Sequence, residues 1–135
     1  MMGKRGSLFL VLADHDRRVR IRRICEKDLG VTVYTVANPA AGISLLTQIP
    51  APSLILLSTD SFPLMSYEEF LKTLAQQPLL AKIPVVLLTT APVSSVPNGI
   101  REVIEAPIAA TDLDTLLKKY RESHQTNVRG SEHEK

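Results

Sequence analysis

The chain has 135 residues, the size of a single domain. Hydrophobic residues make up 44% of it and charged residues 22%, a globular composition that excludes a largely disordered chain. No apolar run approaches the ~20 residues of a membrane helix. A net charge of +2 and 4% aromatic residues give no basis for nucleic-acid binding. The single cysteine, Cys25, excludes an internal disulfide and a cysteine-based zinc site, and it suits a cytoplasmic protein.

Five short segments predict β-strands. They are residues 8–13, 31–36, 54–57, 85–88 and 102–105. The first, third and fourth are continuous apolar runs, which is typical of strands covered on both faces in a parallel sheet. The second alternates and is rich in β-branched residues, and the fifth is shorter.

Helix signals lie between these strands. Residues 17–29 carry an apolar stripe that includes Ile21 and Cys25, and Gly30 is a stop signal behind it. Three later helices are predicted from capping patterns, namely Asn38 with Pro39, Ser66 with Glu69, and Thr111 with Asp114. The apolar positions of the last one follow helical spacing: Leu113, Leu116, Leu117 and Tyr120.

The order of elements is βαβαβαβ, then an irregular stretch, then βα. It predicts an α/β fold, an open doubly wound parallel sheet with right-handed crossovers. Residues 91–99 hold two prolines and a glycine where a fourth crossover helix belongs, so that helix is expected to be short or irregular. We expect a disordered N-terminus over residues 1–7, one domain over 8–120, and a flexible polar tail over 121–135.

Polar residues follow four of the predicted strands, and in such a sheet functional groups gather at the carboxyl ends of the strands. In chain order they are Asp14, His15 and Asp16; Ser58, Thr59 and Asp60; then Thr89 and Thr90. The fifth strand is followed by Ala106-Pro107.

Four segments carry a resemblance to a known family: FLVLADHD, PSLILLSTDSFPLMSYEEFL, KIPVVLLTTA and EVIEAPIAATDLDTLL. Together they resemble a response-regulator receiver domain of the chemotaxis-regulator type, over residues 8–120. The resemblance implies a flavodoxin-like (βα)5 sandwich with strand order 2-1-3-4-5. It also implies two-component signalling, in which a phosphoryl group passes from a kinase histidine to an aspartate that closes the third strand.

That phosphoryl transfer needs five groups, and this sequence lacks or displaces three of them. An acidic pair should hold Mg²⁺, but one alignment register places Ala13 and Asp14 at its two positions and the other places Asp14 and His15. Either register leaves one carboxylate, and Asp16 of the remnant could supply another only if the loop re-aims it. The nucleophile position falls on Ser58 or Thr59, and Asp60 lies one or two residues late. Thr89 matches the family hydroxyl, whereas Ala106 stands where the resemblance expects a lysine.

The sequence therefore predicts a pseudo-receiver with no catalytic residue and no cofactor, which signals through protein–protein contact. The expected partner is an unidentified protein, either a kinase or an output domain; a homodimer is compatible with the sequence, and neither membrane nor nucleic acid is expected. One alternative is an active phosphoacceptor that uses Asp60 with Asp14 and Mg²⁺. Another is an anion- or small-ligand-binding module that uses Thr89, Thr90 and the arginine-rich first helix.

Each candidate also has a plainer interpretation. Asp14 or Asp16 could simply stabilise the start of the first helix, and Ser58 and Thr59 could be small polar loop residues. Cys25 lies on the buried stripe, as a core thiol does. The arginine run is most simply a solvated face. Val103 stands where the family has an aromatic relay residue, so a relay through this strand is expected to be altered.

Overall fold

Five parallel strands form the centre of the computed structural model, which describes residues 6–91, 93 and 95–120. They are β1 (Ser7–Val11), β2 (Thr32–Val36), β3 (Leu54–Ser58), β4 (Val85–Thr89) and β5 (Ile100–Glu105). The strands pair in the order β2-β1-β3-β4-β5 and every pair is parallel. The predicted fold class and strand order are confirmed. The first strand starts at Ser7, one residue before the predicted strand, and Ser7 pairs with Thr32.

Helices cover both faces of this sheet. They are α1 (His15–Arg23), which continues into a π-helical turn (Ile24–Asp28), α2 (Pro39–Leu46), α3 (Tyr67–Ala75), the single turn α4 (Pro78–Ala81) and α5 (110–120). The short α4 was not anticipated from the sequence. Residues 1–5 and the expected tail, 121–135, lie outside the described residues.

Successive residues of each central strand enter two different core layers. On β1, Leu8 and Leu10 pack in the layer beneath α1 and α5, whereas Phe9 packs in the layer beneath α2 and α3. All three side chains are fully buried. Because both faces are covered, these strands are apolar throughout rather than alternating, as their sequences indicated.

The starts of α2 and α3 follow the predicted caps. The side chain of Asn38 accepts a hydrogen bond from the Ala41 N–H at 2.9 Å, with Pro39 in the first turn. Ser66 and Glu69 form both bonds of a capping box, at 3.1 and 2.9 Å. These short-range pairs satisfy backbone donors that would otherwise be unpaired at the helix start.

Two other helix starts differ from the prediction. Helix α1 begins at His15 rather than at residue 17, with Asp14 at the N-cap position. Helix α5 begins at residue 110, so the predicted pairing of Thr111 with Asp114 as a capping box is wrong. Instead, the Asp112 carboxylate accepts a hydrogen bond from the Ala109 N–H at 3.3 Å. The apolar stripe of α5 is confirmed, since Leu113, Leu116, Leu117 and Tyr120 are all buried.

The connection from β4 to β5 is irregular, as predicted. Its described residues, 90–91, 93 and 95–99, hold no helix, and Gly99 adopts a positive φ of 94° just before β5. The register then shifts between Val85 and Val86, which pair with Ile100 and Glu102. Arg101 is the extra residue of this bulge.

The bulge places two residues of β5 in different layers. Ile100 packs in the α2/α3 layer, whereas Glu102 reaches α5 and accepts hydrogen bonds from the Tyr120 hydroxyl at 2.6 Å and from Lys119 Nζ at 2.5 Å. These two bonds lower the pKa of Glu102, and burial and the neighbouring carboxylate raise that of Tyr120. The last turn of α5 is thereby attached to the edge strand.

Substitution of Phe70 tests the packing of the core layer beneath α2 and α3. Its side chain is fully buried, and it packs close to Gly42 of α2, where a Cβ would lie 3.3 Å from Phe70 Cε1. We expect Phe70→Ala to lower the free energy of unfolding by about 3–5 kcal/mol. The matched control is Leu79→Ala, which should change it by no more than about 0.5 kcal/mol because Leu79 is 79% exposed. Urea denaturation measures both, and equal losses would contradict the assigned core.

Glu102 gives the fold a pH-dependent contribution. Its pKa is lower in the folded protein than in the unfolded chain, so the contribution is fully present above the unfolded value of 4.5 and is lost as the pH falls through the folded value. We expect Glu102→Gln to be less stable than the wild type at pH 7, with the gap closing below pH 4.5. Thermal unfolding across this range measures the gap. A gap that is independent of pH would mean that the carboxylate charge contributes nothing.

Candidate functional site

Asp60 lies at the centre of the carboxyl edge of the sheet. Its Oδ2 accepts a hydrogen bond from the Ala13 N–H at 3.1 Å, and its own N–H donates to Ser58 Oγ at 3.2 Å. The β3–α3 loop therefore turns Asp60 back toward the end of β1. In the sequence Asp60 lies one or two residues beyond the expected nucleophile position, and the loop brings its carboxylate to the backbone that follows β1.

Ser58 and Thr59, the two candidates for the nucleophile position, are held by the sheet. Ser58 ends β3, is 1% exposed, and uses its hydroxyl oxygen as the acceptor for Asp60. Thr59 extends the ladder to β4, because its N–H donates to the Leu88 carbonyl at 3.0 Å. Both residues organise the loop that carries Asp60.

The acidic remnant after β1 is exposed. The carboxylate of Asp14 lies 3.6 Å from Arg17 Nε and forms no hydrogen bond that caps the helix. His15 and Asp16 are exposed in the first turn of α1, where a negative charge is favourable. In the described part of the chain, no three histidine, cysteine, aspartate or glutamate side chains come together in a way that could hold a metal ion.

Arg18 is a site residue that sequence reasoning missed. Its guanidinium donates to the carbonyl oxygens of Leu12 and Ala13 at 2.7 and 2.9 Å. Ala13 is therefore held on both sides, through its N–H by Asp60 and through its carbonyl by Arg18. The available signal was an arginine within the first turn after a strand end, but it was hidden among the other arginines of the helix.

Thr89 and Ala106 complete the edge on the β4–β5 side. Thr89 is 1% exposed, and its carbonyl accepts a hydrogen bond from the Ala106 N–H at 2.7 Å. Ala106 contributes a methyl group where the resemblance expects an ammonium. Thr90 is exposed, whereas Thr89 is buried.

Cys25 and Val103, two other residues considered in the sequence analysis, differ in how far they are buried. Cys25 is fully buried beneath α1, and burial is the main cause that raises its pKa to about 12, so the thiol stays protonated at neutral pH. Val103 is 38% exposed on the outer side of β5. Neither side chain supplies a reactive group at the edge.

The residues present do not fit a magnesium site of the kind that receivers use. Magnesium needs several oxygen ligands in near-octahedral geometry. Among the residues that the structure describes, no set of three such side-chain ligands comes together. One oxygen of Asp60 accepts a hydrogen bond from the Ala13 N–H, and the Asp14 carboxylate lies beside Arg17. The guanidinium of Arg18 binds the Leu12 and Ala13 carbonyls, and its positive charge disfavours a divalent ion bound to those oxygens.

Solved receiver domains have a similar fold. The signal receiver domain of a histidine kinase from Syntrophus aciditrophicus is 24% identical, with a TM-score of 0.75, and the match covers 85% of this chain and 89% of that chain. A two-component response regulator from Legionella pneumophila is 20% identical, with a TM-score of 0.77 and coverage of 87% and 98%. The receiver domain of a sensor histidine kinase from Pseudomonas aeruginosa, solved with magnesium coordinated in its active-site cleft, is 16% identical, with a TM-score of 0.75 and coverage of 85% and 96%.

No protein-family model and no curated protein matches the sequence. At the identities of the solved structures the likeness shows the fold, which is that of a receiver domain, and the resemblance predicted from the sequence is confirmed at this level. Among the described residues, no helix is long and apolar enough to cross a bilayer.

Asp60 tests the geometry of the edge. Asp60→Ala removes the acceptor for the Ala13 N–H, and we expect it to lower the free energy of unfolding by about 1 kcal/mol. Asp60→Asn keeps an oxygen that can accept the same bond and should lose less than half of that. Chemical denaturation compares the two variants. If both lose the same amount, the charge of Asp60 matters to stability and its bond to Ala13 does not.

Proposed function

We propose that this chain is a receiver-like signal-transduction domain of a two-component system that acts through protein–protein contact and independently of phosphorylation. The observation that carries the proposal is the hydrogen bond from the Ala13 N–H to Asp60 Oδ2, which engages the Asp60 carboxylate within the protein itself. On this proposal the domain is not an enzyme, and its partner is a kinase, an output domain or a second copy of the chain.

The groups around Asp60 support this function. Phosphoryl transfer needs a carboxylate nucleophile and cations that neutralise the phosphoryl oxygens. Ser58 is buried and accepts a hydrogen bond, and no general base that would activate it is evident. Ala106 supplies no charge. A phosphate monoester on a serine would also be a stable ester rather than a reactive acyl phosphate.

The altered relay supports a constitutive surface. Receivers switch through a hydroxyl residue after the fourth strand and an aromatic residue on the fifth strand. The resemblance places Thr89 and Val103 of this chain at these two positions. Val103 is partly exposed on β5, between the exposed residues Arg101 and Glu105. A surface built on this edge strand does not need a buried aromatic to move before it can bind a partner.

The second candidate is an active phosphoacceptor that uses Asp60. The observation in its favour is the path of the loop after β3. This loop brings the Asp60 carboxylate to the backbone that follows β1, at the carboxyl edge of the sheet. For this reaction the bond to Ala13 would have to open, and Asp14 would have to leave Arg17 and turn toward the metal.

Amide NMR with magnesium separates the two functions. Spectra are recorded with Mg²⁺ before and after addition of beryllofluoride, and again with acetyl phosphate. We expect no shifts around Ala13, Asp60 and Thr89 beyond those that salt alone produces. Asp60→Asn is the matched control, since it removes the candidate phosphoacceptor carboxylate.

Shifts in the wild type that are absent in Asp60→Asn would identify Asp60 as an active phosphoacceptor and overturn the proposal. The contact function is tested separately, by measuring recovery of one co-purifying partner with and without acetyl phosphate. Recovery should be equal in the two conditions, and it should fall with Val103→Glu. Recovery that depends on the phosphodonor would contradict phosphorylation independence.

A further inference from the structure

A cavity of about 280 Å³ lies beside the start of α1, between that helix and the loop after β5. Its lining is mainly apolar and consists of Ile21, Leu88, Ala106, Pro107 and Ile108, together with Arg17 and Arg20. Ile21, Leu88 and Ile108 are at most 2% exposed, so the floor of the cavity belongs to the core. The role proposed above for the domain makes no use of this cavity.

The two arginines give the cavity a charged wall. Arg20 is fixed in place, because its guanidinium donates to the Ile108 carbonyl at 2.9 Å. No carboxylate within the described chain lies close enough to form an ion pair with it. Arg17 pairs with Asp14, but the 3.6 Å distance and the exposure of both side chains make this a weak contact that a ligand can displace.

Ala106 helps to keep the cavity open. It lines the wall with a single methyl group at the position where the resemblance expects a lysine. A longer side chain at this position would occupy part of the space and would add a second kind of cation. With alanine, an apolar space remains whose charge comes only from the arginines of α1.

The dimensions set the size of a ligand. An apolar cavity of about 150 Å³ holds a benzene molecule, so about 280 Å³ accommodates an aromatic ring with a short side chain. The guanidinium fork matches a carboxylate in a bidentate way. A ligand that combines the two would fill the floor with its apolar part and place its anionic end at Arg17 and Arg20.

We propose that this cavity binds a small amphipathic carboxylate, with its apolar group against Ile21, Leu88 and Ile108 and its carboxylate paired with Arg17 and Arg20. The site shares the arginines of the first helix with the ligand-binding alternative drawn from the sequence, but neither Thr89 nor Thr90 lines the cavity. It is also separate from the bond between Asp60 and Ala13. Absence of binding would therefore leave the proposed signalling function untouched.

An amide NMR titration with 3-phenylpropionate tests the site. We expect saturable shifts at Ile21, Leu88 and Ile108 with a Kd below about 10 mM, a weak affinity appropriate to so small a ligand. The uncharged 3-phenylpropionamide should bind roughly tenfold more weakly, because it lacks the anionic end. Inorganic phosphate, which has the charge without the apolar group, should give no saturable shifts at these residues.

Two variants assign the binding to the cavity. Arg17→Gln should weaken 3-phenylpropionate several-fold, whereas Arg23→Gln, with the same loss of charge on an exposed position of α1 outside the cavity, should not. Ala106→Leu should abolish binding by filling the space. If Ala106→Leu loses amide dispersion and does not fold, the comparison of Arg17→Gln with Arg23→Gln decides.

Three results would overturn the proposal. The first is the absence of saturable shifts from 3-phenylpropionate at the cavity residues. The second is equal binding of the amide or of phosphate, which would reduce the effect to apolar contact or to surface charge. The third is equal loss of affinity in Arg17→Gln and Arg23→Gln.

Discussion

The central strands of this protein are apolar on both faces, and a sheet of that kind is stable only when helices exclude water from both sides. Because Leu8 and Leu10 face one layer and Phe9 faces the other, α1 and α5 must lie on one side and α2 and α3 on the opposite side. The two covered faces leave little room for polar chemistry. Polar groups therefore collect where the strands end, at the carboxyl edge that carries Asp60 and Thr89.

At that edge the main chain uses the groups that the resemblance would assign to phosphoryl transfer. Asp60 accepts from the Ala13 N–H, Ser58 accepts from Asp60, and Arg18 donates to the Leu12 and Ala13 carbonyls. A buried or half-buried polar group that already has its partners loses them when it binds anything else, and that loss weakens binding. The edge is thus a self-contained hydrogen-bonded network, which agrees with a domain that presents a fixed surface.

Ala106 lies between this edge and the neighbouring cavity. At the edge Ala106 donates its N–H to the Thr89 carbonyl. On the side of α1 it leaves space beside Arg17 and Arg20, whose guanidinium groups are directed by the Asp14 carboxylate and the Ile108 carbonyl. One small side chain therefore bears on both sites, although they differ in the chemistry that they can perform.

The sequence by itself determined the elements that depend on neighbours along the chain. Apolar runs located three strands, and β-branched alternation and a shorter segment located the other two. The pairs Asn38–Pro39 and Ser66–Glu69 located two helix starts, and the stripe of α5 located its buried face. The strand order came from the family resemblance. The rim residues were correctly assigned to the strand ends, because parallel strands must present their carboxyl ends on one edge.

Only the tertiary structure decided how those rim residues meet. The bond between Ala13 and Asp60 spans 47 positions of sequence, and the bond between Arg20 and Ile108 spans 88. The bulge at Arg101, which turns Glu102 toward Tyr120, likewise depends on the register between β4 and β5. Periodicity and capping report interactions within a few residues, whereas a loop's path and an arginine's acceptor are set by segments that approach only after the sheet has formed.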